Sequence, residues 1–299
     1  KDFIVKGIVQ TAVPVFAPPF VGRVTLIDHG TTTLKADDWT PMVNLAYDWT
    51  DNFMVYATYS EGFKSGGVQQ RNAGVFGSQA PTYDPEFVES YELGFKYSND
   101  DGNFTLNGSV FFADYSDIQL ETLAPDGIAP QLANAGEAEI QGLELEARWA
   151  PADTWFVEAA FGYVDAEIVE VDADSTNSGG PAEGDTVPFV PEYNAAIAII
   201  KVIDLGDSGT LTPRVDYSYR DDVLFSADNG PEDSQEAHGI LNANISWNSA
   251  SDKYSMTLYV NNIADEETVT FTEVSGSSGT GFELLGRGRE WYLAAEMKF

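Results

Sequence analysis

Apolar and polar residues alternate with a period of two over many stretches of this chain. In YELGFKY at 91–97, aromatic and aliphatic residues occupy the odd positions, and Glu, Gly and Lys occupy the even ones. LELEARW at 143–149 and LNANISW at 241–247 repeat the pattern. Because successive side chains of a strand point to opposite faces, this alternation predicts antiparallel strands with one apolar and one polar face. Helical periodicity is almost absent, so we predict an all-β fold.

The breaks in the pattern divide the chain into about eleven strands. We place them at 39–49, 52–62, 85–98, 103–117, 137–150, 153–165, 190–203, 209–220, 238–249, 253–263 and 284–299. The first and the last run in the same direction, so an antiparallel barrel would need one more strand, from residues 1–38 or from sequence outside this chain. We therefore assign residues 1–38 to a loop or partial-strand region and residues 39–299 to barrel strands.

Short and long connections alternate along the chain. Turn-rich breaks of a few residues are followed each time by long polar segments, at about 63–84, 118–136, 167–189, 221–237 and 264–283. This order gathers the short turns at one end of the sheet and the long loops at the other. A soluble antiparallel sheet shows the same residue alternation, but the asymmetry of the connections is typical of a transmembrane β-barrel with short periplasmic turns and long extracellular loops.

Large aromatic residues lie beside the short turns. They are Trp49, Phe53, Trp149, Trp155, Trp247 and Tyr254. Trp and Tyr prefer the membrane–water interface, so this distribution predicts an aromatic girdle on the short-turn side. A second girdle, near the long loops, is predicted from Tyr59, Tyr115, Tyr163 and Tyr219.

Composition further restricts the class of protein to which this chain can belong. No apolar run reaches the length of a membrane helix, so any membrane crossing is made by strands. The net charge of −33 would repel phosphate backbones and argues against a nucleic-acid partner. The chain has no cysteine, which removes disulfides and thiolate metal sites. It starts without Met or a secretory leader, so we expect that the natural N-terminus lies upstream.

Candidate chemistry is sparse. His29 and His238 are far apart in sequence, and no hydrolase, metalloprotease or redox motif occurs. We therefore predict no enzymatic activity, no catalytic residues, no metal and no cofactor. One long loop concentrates carboxylates that could hold Ca²⁺, although their spacing matches no EF-hand loop and simple hydration is the favoured explanation. They are Asp165, Glu167, Glu170, Asp172, Asp174, Glu183 and Asp185.

Six stretches together resemble the C-terminal half of the barrel of TonB-dependent outer-membrane receptors. They are VYATYSEGFKSGG at 55–67, ESYELGFKY at 89–97, NAGEAEIQGLELEARWAP at 134–151, VPFVPEY at 187–193, LYVNNIADEE at 258–267 and GRGREWYLAAEMKF at 286–299. The resemblance implies 11 to 12 strands of a 22-stranded barrel, which an N-terminal plug, absent from this chain, would fill. It also implies a location in the outer membrane of a Gram-negative bacterium, among lipid and lipopolysaccharide.

The resemblance implies a function as well. It predicts uptake of a large, scarce solute such as a ferric siderophore, driven through the plug by the TonB energy-coupling complex. A passive porin-like channel and a soluble β-sandwich binding protein are the alternatives. Ligand contacts are predicted in the first long loop, at Arg71, Phe76 and Tyr83. The terminal alternation is predicted to be the signal read by the barrel-assembly machinery, with Trp291, Leu293, Ala295, Met297 and Phe299 facing lipid.

Overall fold

The computed structural model describes residues 2–9, 27–68, 82–123, 130–171, 180–228, 230, 232–275 and 280–299. Eleven long strands form its main sheet. They are β1 (Met42–Thr50), β2 (Phe53–Lys64), β3 (Glu86–Ser98), β4 (Phe104–Ser116), β5 (Gly136–Ala152), β6 (Trp155–Val171), β7 (Tyr193–Lys201), β8 (Thr210–Arg220), β9 (His238–Asn248), β10 (Tyr254–Asn261) and β11 (Glu290–Met297).

Each strand of the main sheet pairs antiparallel with the strands before and after it in sequence. The sheet is a simple meander, to which the short strand Ile203–Asp204 adds a further pair beside β8. Within the described residues, β1 and β11 each have a neighbour on one side only, so the sheet is open. Strands Asp2–Val9 and Ile27–Lys35 pair with each other as a separate two-stranded sheet.

The predicted strand ends agree with the observed ones to within three residues at all but two places. β6 was predicted to end at 165 but ends at Val171, and the last strand was predicted to begin at 284 but begins at Glu290. Leu284 and Leu285 instead belong to a hairpin in the preceding loop, where they pair with Phe271 and Val269. The only helix in the described residues is the short 3-10 turn Gly206–Ser208, and no described helix is long and apolar enough to cross a membrane.

The strand register places apolar and polar residues on opposite faces across the whole sheet. On one face, paired apolar residues run from strand to strand, and on the other a set of polar residues comes together. That set comprises Glu92, Lys96, Asn107, Glu144, Glu146, Arg148, Arg214, Asp216, Arg220, Asn242 and Asn244. The predicted alternation is therefore confirmed as a property of the sheet, and we call the two sides the apolar face and the polar face.

At three places in the sheet, an aromatic ring covers the glycine directly opposite it on the adjacent strand. The pairs are Tyr56 over Gly94, Phe95 over Gly108 and Phe111 over Gly142, each directly opposite in the register. A glycine leaves room for the ring of its partner, so such pairs fix the register and increase the local twist.

The long connections contain strand pairs of their own. The hairpins are Gly67–Val68 with Thr82–Tyr83, Gln119–Leu123 with Pro130–Asn134, Val223–Leu224 with Ser234–Gln235, and Val269–Ser275 with Thr280–Leu285. The sequence analysis assigned these segments to long polar connections and did not identify the hairpins. A small hydrophobic core forms at the base of the loops from Ile118, Ala135, Ala138, Ala166, Ile168 and Val187.

Candidate functional site

The apolar face of the sheet is exposed over its full width. It carries exposed large apolar side chains on ten of the eleven strands: Leu45, Leu93, Val110, Leu145, Phe161, Ile197, Val215, Ile245, Leu258 and Leu293. Within the described residues no second large sheet covers this face. A soluble sandwich buries its apolar faces against each other, so this arrangement favours a lipid-facing surface over the β-sandwich alternative.

Aromatic residues border the apolar face at both ends. Beside the short turns, Trp149 and Trp155 are exposed, and the Lys201 ammonium lies 4.7 Å from the Trp155 ring centre. The indole N–H of Trp247 donates to the Ser208 carbonyl oxygen at 2.8 Å. Near the long loops, Tyr59, Tyr163 and Tyr219 lie on the apolar face, as predicted.

Tyr115 does not belong to the second girdle, contrary to the prediction. It pairs with Ala138 on the polar face and packs against the small loop-base core. Tyr115 does lie near the long-loop end of β4, as predicted. However, it is an odd number of residues from Phe112, which lies on the apolar face opposite Gln141, so the two side chains point to opposite faces. One residue of offset moves a strand side chain to the other face.

The last strand lies in register with β10. Trp291, Leu293, Ala295 and Met297 pair with the apolar-face residues Val260, Leu258, Met256 and Tyr254. On the polar face the rings of Tyr259 and Tyr292 stack with centres 4.4 Å apart. Phe299 lies beyond the strand and is fully exposed. Beside it, the Lys298 ammonium donates to Asp252 Oδ2 at 3.0 Å, and this hydrogen bond raises the pKa of Lys298.

An ion-pair network crosses the middle of the polar face. Arg214 contacts Glu158 Oε2 at 3.2 Å and Asp216 Oδ1 at 3.3 Å, although β7 separates β6 from β8. Ala198, on β7 between Glu158 and Asp216, is small and buried, which leaves room for the long side chain of Arg214. Asn242 extends the network by donating to Asp216 Oδ2 at 2.9 Å.

Small residues form a shallow groove beside this network. Ala160, Gly162 and Ala196 line its floor, and Glu146 and Arg220 lie on opposite sides. Carboxylates and guanidinium groups along a concave wall fit contact with water or with polar protein surface rather than with lipid.

Polar side chains lock the first two long loops together. The buried Gln119 donates from Nε2 to the Asp84 carbonyl at 3.0 Å and to the Ser65 carbonyl at 3.2 Å. Asn134 accepts a hydrogen bond from the Asp84 amide at 2.7 Å and donates to the Asp117 carbonyl at 2.8 Å. The loop bases are therefore tied to one another by amide side chains, which the sequence pattern did not single out.

The predicted ligand contacts are only partly placed. Arg71 and Phe76 lie outside the described residues. Tyr83 is half-buried in the hairpin that it forms with Gly67, next to the locked loop bases. Of the carboxylates considered for Ca²⁺, Asp172 and Asp174 also lie outside the described residues, and the part of the chain that is described contains no group of three or more metal-ligating side chains.

Four phenylalanines from three different loops meet at the long-loop end of the sheet. Phe189, Phe225, Phe271 and Phe282 have neighbouring ring centres 5.5 to 6.5 Å apart. Phe189 and Phe282 are about half exposed, at 51% each. Sequence reasoning missed this cluster because its members are far apart in the chain and share no local motif.

An antiparallel meander with an aromatic-bordered apolar face, a polar opposite face and long loops along one edge defines a β-barrel protein of the outer-membrane type. The family model described as TonB dependent receptor-like, β-barrel matches residues 20–263. The chain belongs to this family, as the motifs predicted.

Known relatives agree with that assignment. A pesticin receptor of Yersinia enterocolitica is 29% identical over 245 residues, which cover 82% of this chain and 34% of that protein. The crystal structure of the ferric yersiniabactin uptake receptor FyuA from Yersinia pestis matches with a TM-score of 0.73 and 27% identity, covering 90% of this chain and 38% of that one. The siderophore receptor PiuA from Acinetobacter baumannii matches with a TM-score of 0.68 at 19% identity, over 95% of this chain and 38% of that one, and supports the fold alone. This chain spans about a third of the length of the curated relatives that it matches.

Proposed function

We propose that this chain forms the C-terminal strands of an outer-membrane receptor that imports a ferric siderophore in a TonB-dependent manner. The observation that carries the proposal is the family match over residues 20–263, on a sheet whose exposed face is apolar and whose opposite face is polar. The names of several relatives refer to siderophores, among them ferric yersiniabactin and ferric pyoverdine. The proposal includes no catalytic activity.

The two faces suit different partners. The apolar face, with its aromatic borders, fits outer-membrane lipid and the acyl chains of lipopolysaccharide. The polar face fits an N-terminal plug, through which the TonB energy-coupling complex would act. The ion pairs of Arg214 and the groove floored by Ala160 and Ala196 provide polar contacts and space for such a domain. The terminal alternation from Trp291 to Phe299 remains our candidate for the barrel-assembly signal.

Energy coupling separates this proposal from a passive channel. The test measures uptake of ⁵⁵Fe bound to hydroxamate, phenolate and catecholate siderophores by iron-starved cells with and without the gene. We expect at least one chelate to be taken up only when the gene is present, and an uncoupler of the proton gradient to abolish that uptake. Gene-dependent uptake that persists with the uncoupler would support a porin-like channel instead. No gene-dependent uptake of any chelate would contradict iron import.

A further inference from the structure

The four phenylalanines form an aromatic surface with two half-buried rings, Phe225 and Phe271, and two exposed rings, Phe189 and Phe282; we call it the phenylalanine platform. The Phe189 and Phe271 rings are nearly parallel, with an angle of 4° between their planes. Phe282 extends the platform from Phe271, with ring centres 6.0 Å apart. Exposed apolar patches built from several loops mark binding sites more often than scattered single residues do.

Hydrogen bonds between the loops hold the platform together. The Phe189 amide donates to the Leu224 carbonyl at 2.8 Å, which joins the β6–β7 loop to the β8–β9 loop. Thr272, itself buried, donates from Oγ1 to Asp233 Oδ1 at 2.9 Å and joins the β10–β11 loop to the same hairpin. Val223 is fully buried. The exposed rings therefore stand on an ordered base, so a ligand would meet them already arranged.

The backbone at Phe189 is in an unfavourable conformation. Its φ is +66°, in the left-handed region that bulky side chains rarely adopt. The Phe189 ring is half exposed, so burial in a core does not explain this backbone conformation. The conformational preference of phenylalanine does not explain it either. Residues held in such conformations concentrate at binding and catalytic sites.

The loops that carry the platform are strongly acidic. Residues 172–192, 221–237 and 262–289 together contain sixteen Asp or Glu and two Lys or Arg. Asp228 and Glu232 lie in the turn next to Phe225, and Glu283 follows Phe282 in sequence. A surface of this charge repels anionic ligands, whereas the faces of aromatic rings attract cationic groups and stack with other rings.

We propose that the phenylalanine platform binds aromatic rings of a ferric chelate that carries no net negative charge. This inference rests on the proposed function and adds to it a substrate class, defined by rings and charge. A chelate with a neutral or cationic iron centre and planar aromatic groups meets both conditions. A trianionic tris-catecholate complex meets only the first, since its rings fit but its charge does not.

Three simple iron complexes test separately the two conditions, the presence of aromatic rings and the absence of negative charge. Ferric tris(benzohydroxamate) is neutral and has rings, ferric tris(acetohydroxamate) is neutral without rings, and ferric tris(catecholate) has rings and a charge of −3. Binding of each to the full-length receptor in detergent is measured by equilibrium dialysis with ⁵⁵Fe and excess free ligand. One stacked ring changes affinity by about two- to tenfold. We expect the benzohydroxamate complex to bind about tenfold more tightly than the acetohydroxamate complex and more tightly than the catecholate complex.

Substitutions in the hairpin that carries Phe282 test whether the platform causes the preference for aromatic complexes. Phe282→Ser should remove most of the preference for the benzohydroxamate complex, whereas Phe282→Tyr should retain it. Leu285→Ser is the matched control, because Leu285 is exposed on the same hairpin but is not part of the platform. Heat-modifiable migration on gels, which reports barrel folding, is measured for each variant, and binding is compared only between folded receptors.

A charge variant tests the second condition. The double substitution Asp228→Asn with Glu232→Gln should raise the affinity for the catecholate complex several-fold, and high salt should reduce that gain. Equal binding of the two hydroxamate complexes to the unmodified receptor would overturn the inference. So would equal effects of Phe282→Ser and Leu285→Ser, or tighter binding of the trianionic complex than of its neutral aromatic counterpart.

The outcomes distinguish this inference from the proposed function. Absence of gene-dependent, energy-coupled iron uptake would contradict the proposed function. If that uptake is present and Phe282→Ser leaves the ligand preference unchanged in a folded receptor, only the platform is refuted.

Discussion

Gly142 provides a sensitive test of how β5 lies between β4 and β6. It faces the polar side, where the Phe111 ring covers it. A methyl group at this position would overlap the Tyr163 carbonyl oxygen and lie 2.7 Å from Cζ of Phe111. Ordinary contact between carbon atoms begins at about 3.5 Å, so the ring and the neighbouring strand would have to move. Gly142→Ala is therefore expected to destabilise the barrel.

The size of the effect follows from overpacking. Adding a methylene or methyl group to a tightly packed site costs about 1 to 3 kcal/mol, and here one of the obstructing atoms belongs to the backbone and cannot rotate away. We expect a loss toward the upper end of that range. Gly142 does not have a positive φ, so backbone strain in alanine does not contribute.

Gly162 is the matched control, since it also faces the polar side, on the adjacent strand. A Cβ placed there would meet nothing within 4 Å. Gly162→Ala should be neutral or stabilise by up to about 1 kcal/mol, because alanine reduces the freedom of the unfolded chain. The assay is urea-induced unfolding of the full-length receptor in lipid vesicles, followed by tryptophan fluorescence. Equal free energies of unfolding for the two variants would refute the register described for β5.

Three further predictions concern charge, a buried amide and assembly. Glu89 lies directly opposite both Glu61 and Asp114, so Glu89→Gln should raise the free energy of unfolding by about 0.5 kcal/mol at low salt, with little gain in 1 M salt. The buried Asn262, with φ +49°, exchanges hydrogen bonds of 2.8 Å with the Glu266 backbone. Asn262→Ala should therefore lower the free energy of unfolding by about 1 to 3 kcal/mol and speed proteolysis of the adjacent loop. An unchanged cleavage rate would contradict this. Deleting Phe299 should lower the amount of folded receptor in the outer membrane, and Phe299→Tyr should preserve it; normal levels after the deletion would argue against the assembly role.

Local pattern predicted the strands well because each strand carries its own signal. Two-residue alternation identifies a strand and assigns each side chain to a face, and turn residues mark the ends of the strand. The last strand was the exception, since its predicted start at 284 took in Leu284 and Leu285. These two residues pair instead with Phe271 and Val269 in the preceding loop, and no local pattern records that pairing.

The candidate site was harder to predict for a related reason. The platform brings Phe189 to Phe225 and Phe271, which are separated by more than thirty residues of sequence each time. Contacts of that kind depend on which loops lie side by side above the sheet, and no local spacing records this. The sequence pattern also did not predict the hydrogen bonds by which Gln119 and Asn134 join the first two long loops. Their acceptor is a backbone carbonyl of a different loop, which no local motif identifies.

The sidedness of the strands is the central claim, and cysteine labelling tests it most directly. The chain has no cysteine, so single Glu236→Cys and Ser251→Cys variants report separately on the two ends of β9. Both positions are exposed. A membrane-impermeant maleimide should label Glu236→Cys in intact cells, and should label Ser251→Cys only after the outer membrane is permeabilised. Labelling of Ser251→Cys in intact cells, or protection of Glu236→Cys there, would contradict a barrel whose long loops face the exterior.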